Sequence, residues 1–92
     1  MKRLRRFWFE FEIPDDEAGQ QYEEFRLGCG VTAYSYGDAL RILSEGPFRT
    51  RPLPNVRKVL EDVDVSTLDP GHVLPNMGVP TWRGVWFPRG YE

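Results

Sequence analysis

Arg6-Phe7-Trp8-Phe9-Glu10-Phe11-Glu12-Ile13 alternates without interruption, with Phe7, Phe9, Phe11 and Ile13 on one side and Trp8, Glu10 and Glu12 on the other. A period of two is the pattern of a β-strand that buries one face and shows the other. Pro14, which has no N–H to give to a ladder, and the pair Asp15-Asp16 close the strand. The phenylalanines therefore belong to a core, and the rest of the chain must supply what packs on them.

Outward from this strand, Glu17–Glu23 is polar and fits a loop or a single helical turn. From Phe25 the alternation resumes, with Phe25, Leu27, Cys29, Val31 and Ala33 on one side and Arg26, Gly28, Gly30, Thr32 and Tyr34 on the other. The two segments fit an antiparallel pair, and Gly28 and Gly30 thin one face of the second strand or invite a bulge. Ser35-Tyr36-Gly37-Asp38 has the form of a helix N-terminus: a hydroxyl to cap an orphan N–H, and an acid at the positive end of the dipole. Ala39, Leu40, Ile42 and Leu43 give the helix its apolar stripe, and Gly46-Pro47 stops it. After the stiff crossover through Pro47, Pro52 and Pro54, residues Val56–Val65 read as a third strand with Val59, Val63 and Val65 on one face and Glu61 as an exception. A strand–helix–strand unit of this kind predicts parallel strands.

After Asp69-Pro70-Gly71 the texture changes, because prolines and glycines recur among Val73, Leu74, Met77, Val79, Trp82, Val85, Trp86 and Phe87. A long regular element is impossible there, yet so much apolar surface demands cover. The expected architecture is a single α+β domain over residues 1–92, with a three- or four-stranded mixed sheet in the order β-β-α-β. One helix packs on the face bearing Phe7, Phe9, Phe11, Leu27, Val31 and Val63. Residues 1–5 form a basic N-terminal tail, and residues 70–92 an irregular aromatic segment that wraps the domain and ends in a short strand from about Thr81 to Phe87.

The bulk composition fits one small folded domain: 92 residues, among them six Phe, four Tyr and three Trp, which bury large areas with few rotatable bonds. The formal net charge of -2 does not favour nucleic acid or an anionic membrane, both of which call for a clustered positive field. Lys2, Arg3, Arg5 and Arg6 form one basic cluster, and Asp15, Asp16, Glu17, Glu23 and Glu24 an acidic one; the two are expected to compensate each other when the first strand folds back. Cys29 is the only cysteine, so no intrachain disulfide can form. No apolar stretch has the length of a signal sequence or a membrane span, and the expectation is a cytoplasmic protein.

Two constellations are candidates for function. His72, the only histidine, follows a Pro70-Gly71 turn and could meet Asp62, Asp64 or Asp69; an imidazole with carboxylates could hold a ligand or metal, or act as acid and base. The spacing fits no standard ligand motif, and turn or surface chemistry accounts for the same residues, so neither a catalytic set nor a cofactor is expected. The second constellation is Trp82, Arg83 and Trp86 with Trp8 and Tyr34, residue types that dominate protein interfaces. The competing expectation is that the tryptophans complete the core of a small protein. Cys29, between Leu27 and Val31 on the apolar side, reads as an inert core thiol.

Glu61-Asp-Val-Asp-Val-Ser-Thr-Leu68 and His72-Val-Leu-Pro-Asn-Met-Gly-Val-Pro-Thr-Trp-Arg-Gly-Val-Trp-Phe-Pro88 resemble segments of small bacterial proteins of uncharacterised function, a resemblance that implies no activity. The function expected from the residues is a non-enzymatic protein-binding module that engages a protein partner or a second copy of itself; an antitoxin- or immunity-like role would suit so small and acidic a chain. The alternative is a small enzyme or ligand- or metal-binding protein built on His72 with Asp62, Asp64 or Asp69.

Overall fold

The computed structural model describes residues 3–91. Four strands, β1 (Arg5–Phe11), β2 (Cys29–Ala33), β3 (Val56–Leu60) and β4 (Gly84–Phe87), form one sheet in the order β3-β1-β2-β4. The α-helices are α1 (Glu17–Gln20) and α2 (Tyr36–Glu45), with short 3-10 turns at Glu23–Phe25, Val65–Thr67 and Leu74–Asn76. The α+β class and the four strands agree with the sequence, but every hydrogen-bonded pair is antiparallel, so the sheet is not mixed. The β2–α2–β3 unit does leave β2 and β3 pointing the same way; β1 lies between them and takes the place of a parallel partner. The apolar strands β1 and β2 occupy the centre, while β3, with Arg57 and Lys58 exposed, makes an edge.

The helix termini follow from local chemistry. Ser35 caps α2, its Oγ accepting the Asp38 N–H at 3.1 Å, and Gly46 ends it by donating to the Ile42 carbonyl at 3.0 Å. Ala39 and Leu43 face the sheet, against Phe7, Phe9, Phe11, Val31, Ala33, Cys29 and Val85. This core extends past the end of the strands through Tyr22, Phe25 and Phe48. The Arg51 guanidinium lies 5.1–5.5 Å from all three of those rings, within cation–π range. It also donates to the carbonyls of Pro47 and Gln21 and pairs with Glu24 at 2.9 Å, tying the crossover to the α1 region.

The opposite face of the sheet carries a second core: Trp8, Val63, Val73, Trp86 and Phe87, flanked by Val65, Leu68 and Met77. Gly30 makes room for it. A Cβ on Gly30 would stand 2.4 Å from the Trp86 ring, and one on Gly28 would stand 2.4 Å from Trp8. Between Gly30 and Val31 the β2–β4 register slips, so that Val31 faces Val85 while Gly30 faces Phe87. A bulge of this kind breaks the alternation: Val85 enters the helix-side core, and the consecutive Trp86 and Phe87 both enter the second.

Several expectations are corrected. Leu27 is 49% exposed rather than in the core, because β2 starts only at Cys29 and Gly28, at φ +135°, breaks the alternation before it. The third strand ends at Leu60, not Val65: Asp62 turns the chain at φ 53°, and the Val63 N–H then bonds to the Arg6 carbonyl at 3.0 Å. Val63 consequently packs beside Trp8 on the face away from α2. Of the basic tail expected over 1–5, residues 1 and 2 lie outside the described residues and Arg5 already belongs to β1. The wrapping segment is present and covers the sheet, but it begins near Val63 rather than at residue 70, and its final strand is limited to Gly84–Phe87.

Gly30→Ala should lower stability by about 1–3 kcal/mol in urea unfolding, since the added methyl meets a ring that has no room to retreat. Gly37→Ala, whose Cβ would find only the Ser35 Oγ at 3.9 Å, should be neutral or slightly stabilising. Equal midpoints for the two variants would contradict the seating of Trp86 on Gly30.

Candidate functional site

Tyr34, Asp38 and Arg83 meet where β2 ends, α2 begins and the chain enters β4. Asp38 occupies the first turn of α2 and gathers the three elements: its Oδ2 accepts the Tyr34 N–H at 3.0 Å and Arg83 Nε–H at 3.0 Å, and its Oδ1 accepts from Arg83 Nη2 at 2.6 Å. The two-pronged guanidinium–carboxylate pair is the strong form of such a contact. The Arg83 fork, with the Tyr34 amide behind it, holds the Asp38 carboxyl down at about 2, and the Asp38 carboxylate raises Arg83 in turn. Asp38 is only 13% exposed at its side chain, so the pair is partly shielded from solvent on the acid's side.

The loop before Arg83 is fixed on its other side as well. Thr32, buried in β2, donates its hydroxyl to the Pro80 carbonyl at 2.5 Å, and the Gly78 N–H donates to the Trp86 carbonyl at 2.6 Å. Between these anchors Trp82 stands 67% exposed, with Val79 and Tyr34 also open to solvent. Beside Tyr34 lies an open groove of about 540 Å³, lined also by Ser35, Gly37, Asp38 and Arg41.

The five interface candidates therefore separate. Tyr34, Trp82 and Arg83 come together at one end of the sheet. Trp8 and Trp86, at 4% and 1% exposure, are corrected to core residues: the Val63–Met77 segment closes over them, and their rings lie 6.0 Å apart within the second core.

The His72 constellation is only half assembled. His72 Nδ1 lies 2.9 Å from Asp69 Oδ2, and Asp69 Oδ1 accepts the Gly71 N–H at 2.8 Å, so both residues serve one exposed turn. Asp64 caps a separate short turn through the Ser66 N–H and hydroxyl, and Asp62 pairs with Arg3 at 3.5 Å. Hydrogen bonds from Ser66 lower Asp64, and those from Gly71 and His72 lower Asp69, each bond favouring the carboxylate. Among the described residues no three His, Cys, Asp or Glu side chains are grouped as metal ligands would be. Cys29 is fully buried, and burial pushes its thiol far up.

Among the described residues, the charge clusters at the two ends of β1 do not compensate each other. Arg5 begins the strand, whereas Asp15, Asp16 and Glu17 follow its far end, about 20 Å away along a strand of seven residues. Each end finds local partners instead: Arg3 with Asp62 at one, and Arg26 with Glu23 (2.8 Å) and Asp15 (3.3 Å) at the other. Sequence reasoning missed Asp38 as a site residue. Its S-x-x-D setting predicts a helix terminus but says nothing of an arginine 45 residues later.

No helix among the described residues is long and apolar enough to cross a membrane. Comparison with known proteins finds no matching family model, no matching curated protein and no matching solved structure.

The Asp38–Arg83 pair has a defined acid signature. A carboxyl lowered in the folded state stabilises it above the ordinary value of 3.8, and that contribution is lost as the pH falls through about 2. The stability gap between the wild type and Arg83→Ala should thus be constant well above 3.8 and close on acidification below it, as followed by thermal unfolding. A gap independent of pH would contradict the pair.

Proposed function

We propose that this chain is a small non-enzymatic protein-binding module of the cytoplasm, and that its contact surface is the Trp82 loop with the adjoining Tyr34. The observation that carries this reading is the exposure of Trp82 on a loop secured at Pro80 and Arg83. A large indole in solvent costs free energy unless something covers it, and a fixed loop loses little entropy when that happens. Tryptophan and arginine in this setting are the residue types on which binding energy concentrates. Because the second core is closed by the chain itself, Trp82 is the tryptophan left for a partner.

Trp82→Ala should change unfolding stability by no more than about 0.5 kcal/mol, since the side chain is largely in water. The same substitution should abolish retention of the partner in quantitative affinity capture from the native host. Leu27→Ala, which removes another exposed apolar side chain, should leave that retention intact. If wild type and Trp82→Ala retain the same proteins in the same amounts, the Trp82 surface is not the binding site.

A further inference from the structure

Trp82 lies at the end of the sheet that also carries Arg83, Arg5 and Arg41. Arg83, next in the chain, is matched by Asp38. Arg5 comes within 3.5 Å of the Tyr34 carbonyl oxygen, and Arg41 lines the groove on the α2 side. Among the described residues neither Arg5 nor Arg41 forms an ion pair with a carboxylate, whereas the acids beyond the other end of β1 take up Arg26 and Arg51. Arg5, Arg41 and Arg83 outnumber Asp38 and Glu45, the acids that face Arg83, three to two, so this end carries an excess of one positive charge on a chain whose net charge is -2.

We infer that the partner is an acidic protein segment, which sets an apolar side chain against Trp82 and Val79 and carboxylates over Arg5 and Arg41. The inference rests on Trp82 being the contact surface and adds the chemistry of what it contacts. Charge complementarity decides among the occupants. A second copy docked about a two-fold axis would bring two sets of these arginines into one contact, and a surface with an excess of positive charge is not complementary to itself. A nucleic acid strand would find here only two guanidiniums outside ion pairs, where polyanion binding draws on many, on a chain whose net charge is -2. An acidic segment with an apolar anchor satisfies both features at once: the arginines steer it, and the indole holds it.

The test is an NMR titration of the full-length chain with a short synthetic Leu/Glu peptide, in parallel with its Leu/Gln counterpart and with oligothymidylate. The Leu/Glu peptide should shift Trp82, Tyr34 and the first turn of α2. The Leu/Gln peptide should bind about tenfold more weakly, and Arg41→Gln should weaken the Leu/Glu complex by a similar factor. Arg49→Gln, at an exposed arginine outside the groove, should have no effect. If both peptides bind equally and Trp82→Ala abolishes both, the surface docks partners but not acidic ones, and the inference fails alone. No shift at Trp82 with either peptide would overturn the inference and the docking reading together. Tighter binding of oligothymidylate, or a dimer in sedimentation with Trp82 at its contact, would overturn the inference in favour of that occupant.

Discussion

The Trp86 ring rests directly on the backbone of Gly30, and much of the rest of the structure depends on that contact. A four-stranded sheet with a single substantial helix can cover only one face with that helix. The other face here is hollowed at Gly28 and Gly30, and two indoles fill the hollow. Trp86 is placed for shape rather than for polarity, since its Nε1–H is buried without a hydrogen-bond partner among the described residues. Leaving such a donor unpaired costs on the order of 1–3 kcal/mol. That cost is offset by the burial of two tryptophans and a phenylalanine in contact with one another.

The bulge opposite Gly30 links the two cores. It turns Trp86 and Phe87 to the same side while Val85 remains with the phenylalanines, so four residues of β4 serve both faces of the sheet. The segment from Val63 to Met77 then closes the second core with no regular structure beyond two 3-10 turns, Val65–Thr67 and Leu74–Asn76. Its path leads into the loop that carries Trp82, which the Thr32–Pro80 and Arg83–Asp38 contacts secure to β2 and α2. The exposed indole is therefore presented by the same packing that buries the other two.

What could be read from the sequence was local. Alternation identified the first strand and its phenylalanines, and Ser35 and Gly46 bounded the helix where the structure has it. Alternation failed where one residue left the extended conformation. Asp62 at φ 53° moved Val63 to the other face, and Gly28 left Leu27 outside. The site was less legible than the fold, because its parts are joined across the chain. Nothing near Asp38 announces Arg83, and nothing in the composition of residues 79–88 distinguishes the tryptophan that is covered from the one that is not. Asp69 and His72 illustrate the converse: their proximity could be anticipated from the turn between them, and that turn also explains their contact.

Fold and surface meet in the division of the tryptophans, Trp8 and Trp86 enclosed by the chain and Trp82 presented to solvent. Hydroxyl-radical footprinting of the native protein, read residue by residue by mass spectrometry, measures that division directly. The prediction is rapid oxidation of Trp82, with Trp8 and Trp86 protected as fully as the core residue Phe7 until the protein is unfolded. Labelling of Trp86 or Trp8 at the rate of Trp82 would contradict it, and would mean that the second face of the sheet is open.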